Sequence, residues 1–334
     1  MLPNKIQHMR LAASYYCNLR CQHCYVPDID RTKYRKMEKE QLTLEQIDAF
    51  IDLLIKDFEL EKISITGGEA MYHKVWPRTC HILQYAIQRD INVQINTSGS
   101  GDIDISAIVD TVNGSLDKIL LHASLDGINE KKVDKFRGRK NAFKRALKTI
   151  QDAVSAGICT QVRFTVTKDN YDDTLACYDF VTDLGADAFM VKPMYPAGSG
   201  RLNSDLLIDR EKVEKLQWQL IQKSIHRKTR LDLPQAVYIK PKDFPAGANV
   251  KIFNCICGVQ AGYMAYNGDI YPCPYLVGAP NSTDFVIGNI KDPNFDFREA
   301  WLRSHTYSEF RTAREDTCTT QNILLRAVEC VSAG

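Results

Sequence analysis

The apolar positions of this chain alternate between two periods. Short, mostly apolar runs occur at 9–14 (MRLAAS), 62–66 (KISIT), 92–97 (NVQINT), 118–125 (KILLHASL), 161–167 (QVRFTVT) and 187–192 (DAFMVK). Runs of this kind, bounded by turn residues, predict strands buried on both faces of a parallel sheet. Between them, apolar residues recur every three or four positions. Leu44, Ile47, Phe50, Ile51, Leu54, Ile55 and Phe58 share one helical face, and Thr43 with Gln46 forms a capping box ahead of them. The segment 141–157 repeats the pattern through Phe143, Ala146, Leu147, Ile150 and Val154, and Gly157 supplies a stop. About six such units precede residue 200, too few for a closed eight-unit barrel. The prediction is an α/β chain whose core is a partial (β/α)6 TIM-like barrel.

A boundary follows. The Pro- and Gly-rich stretch PMYPAGSGR (193–201) ends the last unit. Residues 209–225 read as a helix, and 232–250 as a connector interrupted by prolines. The expected domains are a barrel over 1–205, a helix and connector over 206–250, and a small cysteine-rich extension over 251–334.

A formal net charge of +2 gives no field that favours nucleic acid or anionic lipid. No apolar run approaches the ~20 residues that span a bilayer, and the N-terminal segment has no continuous apolar core of a signal peptide. A cytoplasmic protein with no nucleic-acid or membrane partner is expected. The first strand begins almost at once, so no separate N-terminal peptide-binding domain is expected.

Eleven cysteines then narrow the chemistry. In such a setting, close cysteine spacing points to metal or redox chemistry rather than disulfides. Cys80, Cys159 and Cys177 lie within strand-like or helix-like runs and are read as small buried residues. The other eight form two groups, Cys17, Cys21 and Cys24 near the start and five after residue 254. Soft thiolates suit zinc, Cu(I) or iron–sulfur clusters. A structural zinc site takes four ligands, and His23, adjacent to Cys24, does not readily converge with it on one ion. Three thiolates can instead hold three irons of a 4Fe–4S cluster and leave the fourth iron open to an exogenous ligand. Zinc is the alternative.

The segment CNLRCQHC (17–24) resembles the signature of the radical S-adenosylmethionine (SAM) enzymes. The resemblance implies a 4Fe–4S cluster on Cys17, Cys21 and Cys24 whose open iron binds the amino and carboxylate groups of SAM. Reductive cleavage then yields a 5′-deoxyadenosyl radical, and His23 packs over the cofactor. Further segments match in order. SITGGEA (64–70) carries Gly67, Gly68 and Glu69, resembling the family's GGE motif, where glycines admit a ligand close to the backbone and the carboxylate pairs with the methionyl ammonium. QINTSG (94–99) places Asn96 and Ser98 at a strand end. HASLDG (122–127) resembles a Ser-x-Asp segment, with Ser124 and Asp126 reaching ribose hydroxyls or the methionyl group. Arg137 stands where related enzymes keep an arginine before a helix. Arg163, inside a strand, needs a carboxylate partner, and that of SAM is the candidate. KPMYPAGSGR (192–201) resembles the loop that contacts adenine through backbone atoms. No residue acting directly on a substrate is identified.

The C-terminal group resembles the SPASM or twitch extension of the same enzymes. Cys257 precedes a glycine, Asn267–Gly268 signals a hairpin turn, and Cys273 follows it. The family's later C-x2-C is broken, because Gln321 stands where a second cysteine is expected after Cys318, and Cys330 comes next. Five candidates, Cys255, Cys257, Cys273, Cys318 and Cys330, cannot supply two four-thiolate clusters, so one auxiliary 4Fe–4S cluster is expected. A zinc ribbon takes the same four thiolates. The function implied is radical modification of a ribosomally made peptide by crosslinking, epimerisation or oxidation. The alternatives are oxidation or rearrangement of a small molecule such as a sugar or cofactor precursor, or a zinc-ribbon binding module. The implied partners are the substrate and an electron donor such as flavodoxin or ferredoxin.

Overall fold

A computed structural model describes residues 5–26, 34–234, 239–312 and 318–332. The six predicted strands are β1 (His8–Ser14), β2 (Lys62–Gly67), β3 (Asn92–Thr97), β4 (Ile119–Ser124), β5 (Cys159–Val166) and β6 (Ala188–Pro193). They pair in chain order and in parallel. Helices return between them over one face, as right-handed βα crossovers require. The capping box forms. Thr43 Oγ1 accepts the Gln46 N–H at 3.2 Å, and the Gln46 side chain accepts the Thr43 N–H at 2.9 Å. The helix it starts, Leu44–Phe58, buries Ile47, Phe50, Ile51, Leu54 and Phe58.

The connector contributes more than the sequence predicts. Two further parallel strands, β7 (Arg230–Pro234) and β8 (Val250–Phe253), extend the sheet beyond β6. The buried Asp232 hides the strand in RLDLP. Its charge is taken up by Arg230 at 2.6 Å and by the Gln161 amide. At the other edge, β9 (Ala261–Met264) runs parallel to β1, and β10 (Asp269–Tyr271) and β11 (Gly288–Asn289) continue antiparallel. The cysteine-rich extension is therefore the margin of the same eleven-stranded sheet, in the order β11-β10-β9-β1-β2-β3-β4-β5-β6-β7-β8. Cys177 is buried and Cys80 partly so, but Cys159 is exposed. It is the first residue of β5, at the end of the strand away from the site, where burial has not begun. Over 297–312 the chain forms two short helices, Phe297–Arg303 and Ser308–Thr312, with a 3-10 turn at His305–Tyr307 between them. No described helix is long and apolar enough to cross a membrane.

Candidate functional site

The carboxyl ends of the strands, where barrel folds place their sites, open into a cavity of about 380 Å³. The loop after β1 forms one wall. Its backbone is fixed from three sides. Gly68 and Glu69 N–H groups donate to the carbonyls of Ser14 (2.7 Å) and Tyr16 (2.9 Å). Arg20 and Gln22 N–H groups donate to Arg137 (3.1 Å) and Phe136 (3.0 Å). The Asn203 amide donates to the Gln22 carbonyl at 3.1 Å. The two glycines are required by contact as well as by turn. A Cβ on Gly68 would lie 2.0 Å from the Tyr16 oxygen, and Gly67 has φ +106° with a Cβ position 2.3 Å from the Ser14 oxygen.

Cys17, Cys21 and Cys24 all line the cavity. Burial raises each thiol, Cys24 to about 12 with the neighbouring Cys21 adding to it. Such thiols stay protonated unless a metal displaces the proton. Arg137 Nη1 donates to Cys21 Sγ at 3.8 Å. His23 stacks on Phe136 with centroids 4.7 Å apart. Burial, then Arg137 and Lys192, holds its pKa well below the usual value, so the ring is neutral.

Glu69, Asn96, Ser98, Ser124, Arg137 and Arg163 line the same cavity, with Gly67 and Gly68. Glu69 is 1% exposed, and its carboxylate accepts four hydrogen bonds. Met71 N–H (3.1 Å) and Thr97 Oγ1 (2.5 Å) donate to one oxygen, and Ser98 N–H (2.8 Å) and Oγ (2.5 Å) to the other. Glu69 thereby ties the end of β2 to the end of β3. Asn96 accepts from Arg163 Nη1 at 3.3 Å, and Arg163 Nε is buried without a partner. Burial lowers the Arg163 pKa. An unpaired guanidinium edge in a cavity fits a carboxylate ligand such as that of SAM. Asp126 does not line the cavity. It pairs with Arg137 and accepts the Thr165 N–H at 2.8 Å.

The C-terminal thiols gather on the adjoining side. The Cys255 sulfur contacts those of Cys257 and Cys318, and Cys257 contacts that of Cys273. Contact with Cys255 and Cys273 lowers Cys257, and contact with Cys255 lowers Cys318. The Gln321 N–H donates to Cys318 Sγ at 3.5 Å, at the start of the helix Thr319–Ser332. The Cys330 side chain lies outside the described residues. Among those described, no group of three His, Cys, Asp or Glu is arranged to hold a single metal ion. A cluster makes a different demand, since each thiolate takes its own iron and the sulfurs surround a cube rather than a point.

Several cavity residues were not anticipated, namely Tyr15, Tyr25, Thr66, Thr97, Lys192 and Tyr275. Lys192 was within reach of pattern reading. The alternation that points Arg163 into the lumen pairs it with Met190 across β5 and β6, and Thr165 with Lys192 one step further up.

A parallel sheet that gathers a three-cysteine loop, a double-glycine turn and an unpaired arginine at its carboxyl ends is the architecture of a SAM-cleaving iron–sulfur enzyme. The chain belongs to the radical SAM superfamily, whose model matches residues 12–181. The SPASM iron–sulfur cluster-binding domain matches residues 255–321. It is an enzyme of that superfamily with SAM and a 4Fe–4S cluster as cofactors, and the SPASM domain brings auxiliary cluster chemistry. Among curated relatives it is similar to the antilisterial bacteriocin subtilosin biosynthesis protein AlbA of Bacillus subtilis, 26% identical over 86% of this chain. The chain spans only 58% of AlbA's length. It is equally similar to an AdoMet-dependent heme synthase of Methanosarcina barkeri, 25% identical over 90% of this chain and 83% of that protein. The fold matches that of Streptococcus suis SuiB bound to S-adenosylmethionine, with TM-score 0.72 at 17% identity over 96% of this chain and 74% of SuiB.

Proposed function

We propose that this chain modifies a ribosomally made peptide by radical chemistry, forming a crosslink, an epimer or an oxidised residue. The observation that carries the reading is the shared cavity. Cys24 lines it together with Tyr275, two residues beyond Cys273, so a substrate laid there lies against the first cysteine group and against the segment that follows the second. The bacteriocin biosynthesis relative supports a peptide substrate, as does the fold match to SuiB bound to its precursor peptide SuiA. The heme synthase relatives support a second reading, a small-molecule substrate.

In this reading Cys17, Cys21 and Cys24 hold the catalytic cluster, and Cys255, Cys257, Cys273 and Cys318 hold one auxiliary cluster. The bound cofactors supply a 5′-deoxyadenosyl radical that takes hydrogen from the substrate. The chain's own residues do the rest. Arg163 binds the SAM carboxylate. Glu69, with Gly67 and Gly68, shapes the turn beside it. Asn96 and Ser124 present polar groups from adjacent strand ends, Ser98 fixes Glu69, and neutral His23 covers the cofactor edge. Asp126 orients Arg137, which donates to Cys21. A flavodoxin- or ferredoxin-type donor supplies the electron.

The test is anaerobic incubation of reconstituted enzyme with SAM, reductant and a precursor peptide encoded beside its gene. A mass or stereochemical change in the peptide, matched by 5′-deoxyadenosine, is expected. Deoxyadenosine without any peptide change, together with turnover of a small molecule from the same gene neighbourhood, favours the second reading. Replacing Cys17, Cys21 and Cys24 together by Ala should abolish deoxyadenosine.

A further inference from the structure

Four basic residues line the cavity, Arg20, Arg137, Arg163 and Lys192. Arg137 pairs with Asp126, and Arg20 donates to the Cys17 and Leu19 carbonyls; Arg163 and Lys192 form no ion pair with an Asp or Glu among the described residues. The carboxylates nearby are engaged elsewhere. Glu69 takes four hydrogen bonds, and Asp126 takes the Arg137 guanidinium and the Thr165 N–H. SAM brings one carboxylate, which suits the planar fork of Arg163. Lys192 is left without a carboxylate, the Cys273 and Cys318 sulfurs being the nearby groups that favour its charge.

Its surroundings are specific. Nζ lies 4.5 Å from the centroid of the Tyr275 ring and 5.6 Å from that of Tyr195. The rings stand edge to face, 4.6 Å apart, and Tyr195 donates from its hydroxyl to Cys318 Sγ at 3.7 Å. Ring faces steady an ammonium without neutralising it. Lys192 therefore stands on the wall between the two cysteine groups, where a substrate must lie to reach both. Burial, then Arg163, holds the Lys192 pKa well below the usual value, and a carboxylate entering the open cavity before this aromatic-flanked amine would restore its charge.

We propose that Lys192 is a specificity-determining residue that anchors a carboxylate of the substrate. The carboxylate is either an Asp, Glu or terminal group of a peptide or the acid of a small molecule. A single ammonium between two rings suits a monoanion rather than a phosphate, which calls on several converging donors. The inference rests on the radical SAM reading of this cavity and names the substrate chemistry it selects.

The test uses the full chain, anaerobically reconstituted and loaded with SAM, and ligand-observed saturation-transfer NMR. The probes are N-acetylglutamate N-methylamide and its glutamine counterpart, glutarate and its diamide, and methylphosphonate. At least one acid should bind about tenfold or more tightly than its amide, the scale of one charged hydrogen bond. Lys192→Met should remove that preference while leaving iron content and SAM affinity within about twofold. Lys192→Arg should restore part of it. Equal binding of acid and amide to the wild type overturns the proposal and needs no variant. So does an unchanged preference in a folded Lys192→Met or Lys192→Gln protein, or tighter Lys192-dependent binding of methylphosphonate. A Lys192-dependent response to glutarate alone supports the anchor while counting against the peptide reading.

Discussion

Arg137 joins two parts of the site with one guanidinium. Nη1 donates to Cys21 Sγ at 3.8 Å, and Nη2 pairs with the Asp126 carboxylate in a fully buried bridge. The backbone carbonyl of the same residue accepts the Arg20 N–H, so the cysteine loop leans on Arg137 twice.

Breaking that bridge from one side strands a buried charge. Arg137→Leu should lower stability by roughly 3–5 kcal/mol, the usual cost of leaving one partner alone. Arg137→Leu with Asp126→Asn should recover part of the loss, because no bare charge then remains. Urea unfolding of the metal-free protein reads both. A double variant no better than the single would remove the ion pair from the explanation.

Glu69 accepts from four donors, so an amide in its place sets N–H against O–H. Glu69→Gln should weaken SAM binding by roughly 1–3 kcal/mol, and Arg163→Ala by a similar amount, with iron retained. Equilibrium dialysis with labelled SAM checks this. Unchanged dissociation constants in both variants would count against placing these residues at the methionyl end of SAM.

Cys273 ends the thiol string against Cys257 and comes just after the β9–β10 hairpin. Cys273→Ala should lose about half of the iron and sulfide yet still cleave SAM without substrate, if each cluster carries four irons. Circular dichroism must accompany the iron count, since cluster binding is coupled to folding. A folded variant with full iron would place the auxiliary cluster elsewhere.

The base of the lumen holds bases that resist protonation. Burial lowers His8 and His122 well below 6.5, and burial with Arg10 brings Lys62 from 10.5 to about 8. Between pH 8 and 10.5 the unfolded chain holds the Lys62 proton and the folded chain does not, so stability contributed there rises with pH. Lys62→Met should therefore stabilise the apoprotein at pH 7, and the advantage should shrink as pH passes from 8 to 10.5. For the histidines the folded state loses ground as pH falls through 6.5. Thermal melts across both ranges read these slopes. An advantage for Lys62→Met that is independent of pH would show that the lysine is charged in both states.

The barrel strands were legible because burial on both faces leaves continuous apolar runs, and β3 ends where the pattern says, at Thr97. The cysteine loop and the double glycine were legible because their chemistry is local in the chain. What failed depends on distant partners. β7 carries a buried Asp232 whose charge is met by Arg230 and Gln161, and β9 is recognisable as part of the barrel sheet only through its pairing with β1. Lys192 escaped notice for the same reason. Its meaning comes from Tyr275, which lies far along the sequence and enters the cavity from the other end of the sheet.

The pairing of His8 with Ala261 also sets a timetable. At synthesis rates of ~5–20 residues per second, the edge of β1 waits roughly 13–50 s for its partner to be made. Through that interval the nascent sheet presents an open strand edge, a template for pairing with neighbouring chains. Full assembly of the sheet is thus a late event on the ribosome, and slowing expression in the cell should favour soluble product over inclusion bodies.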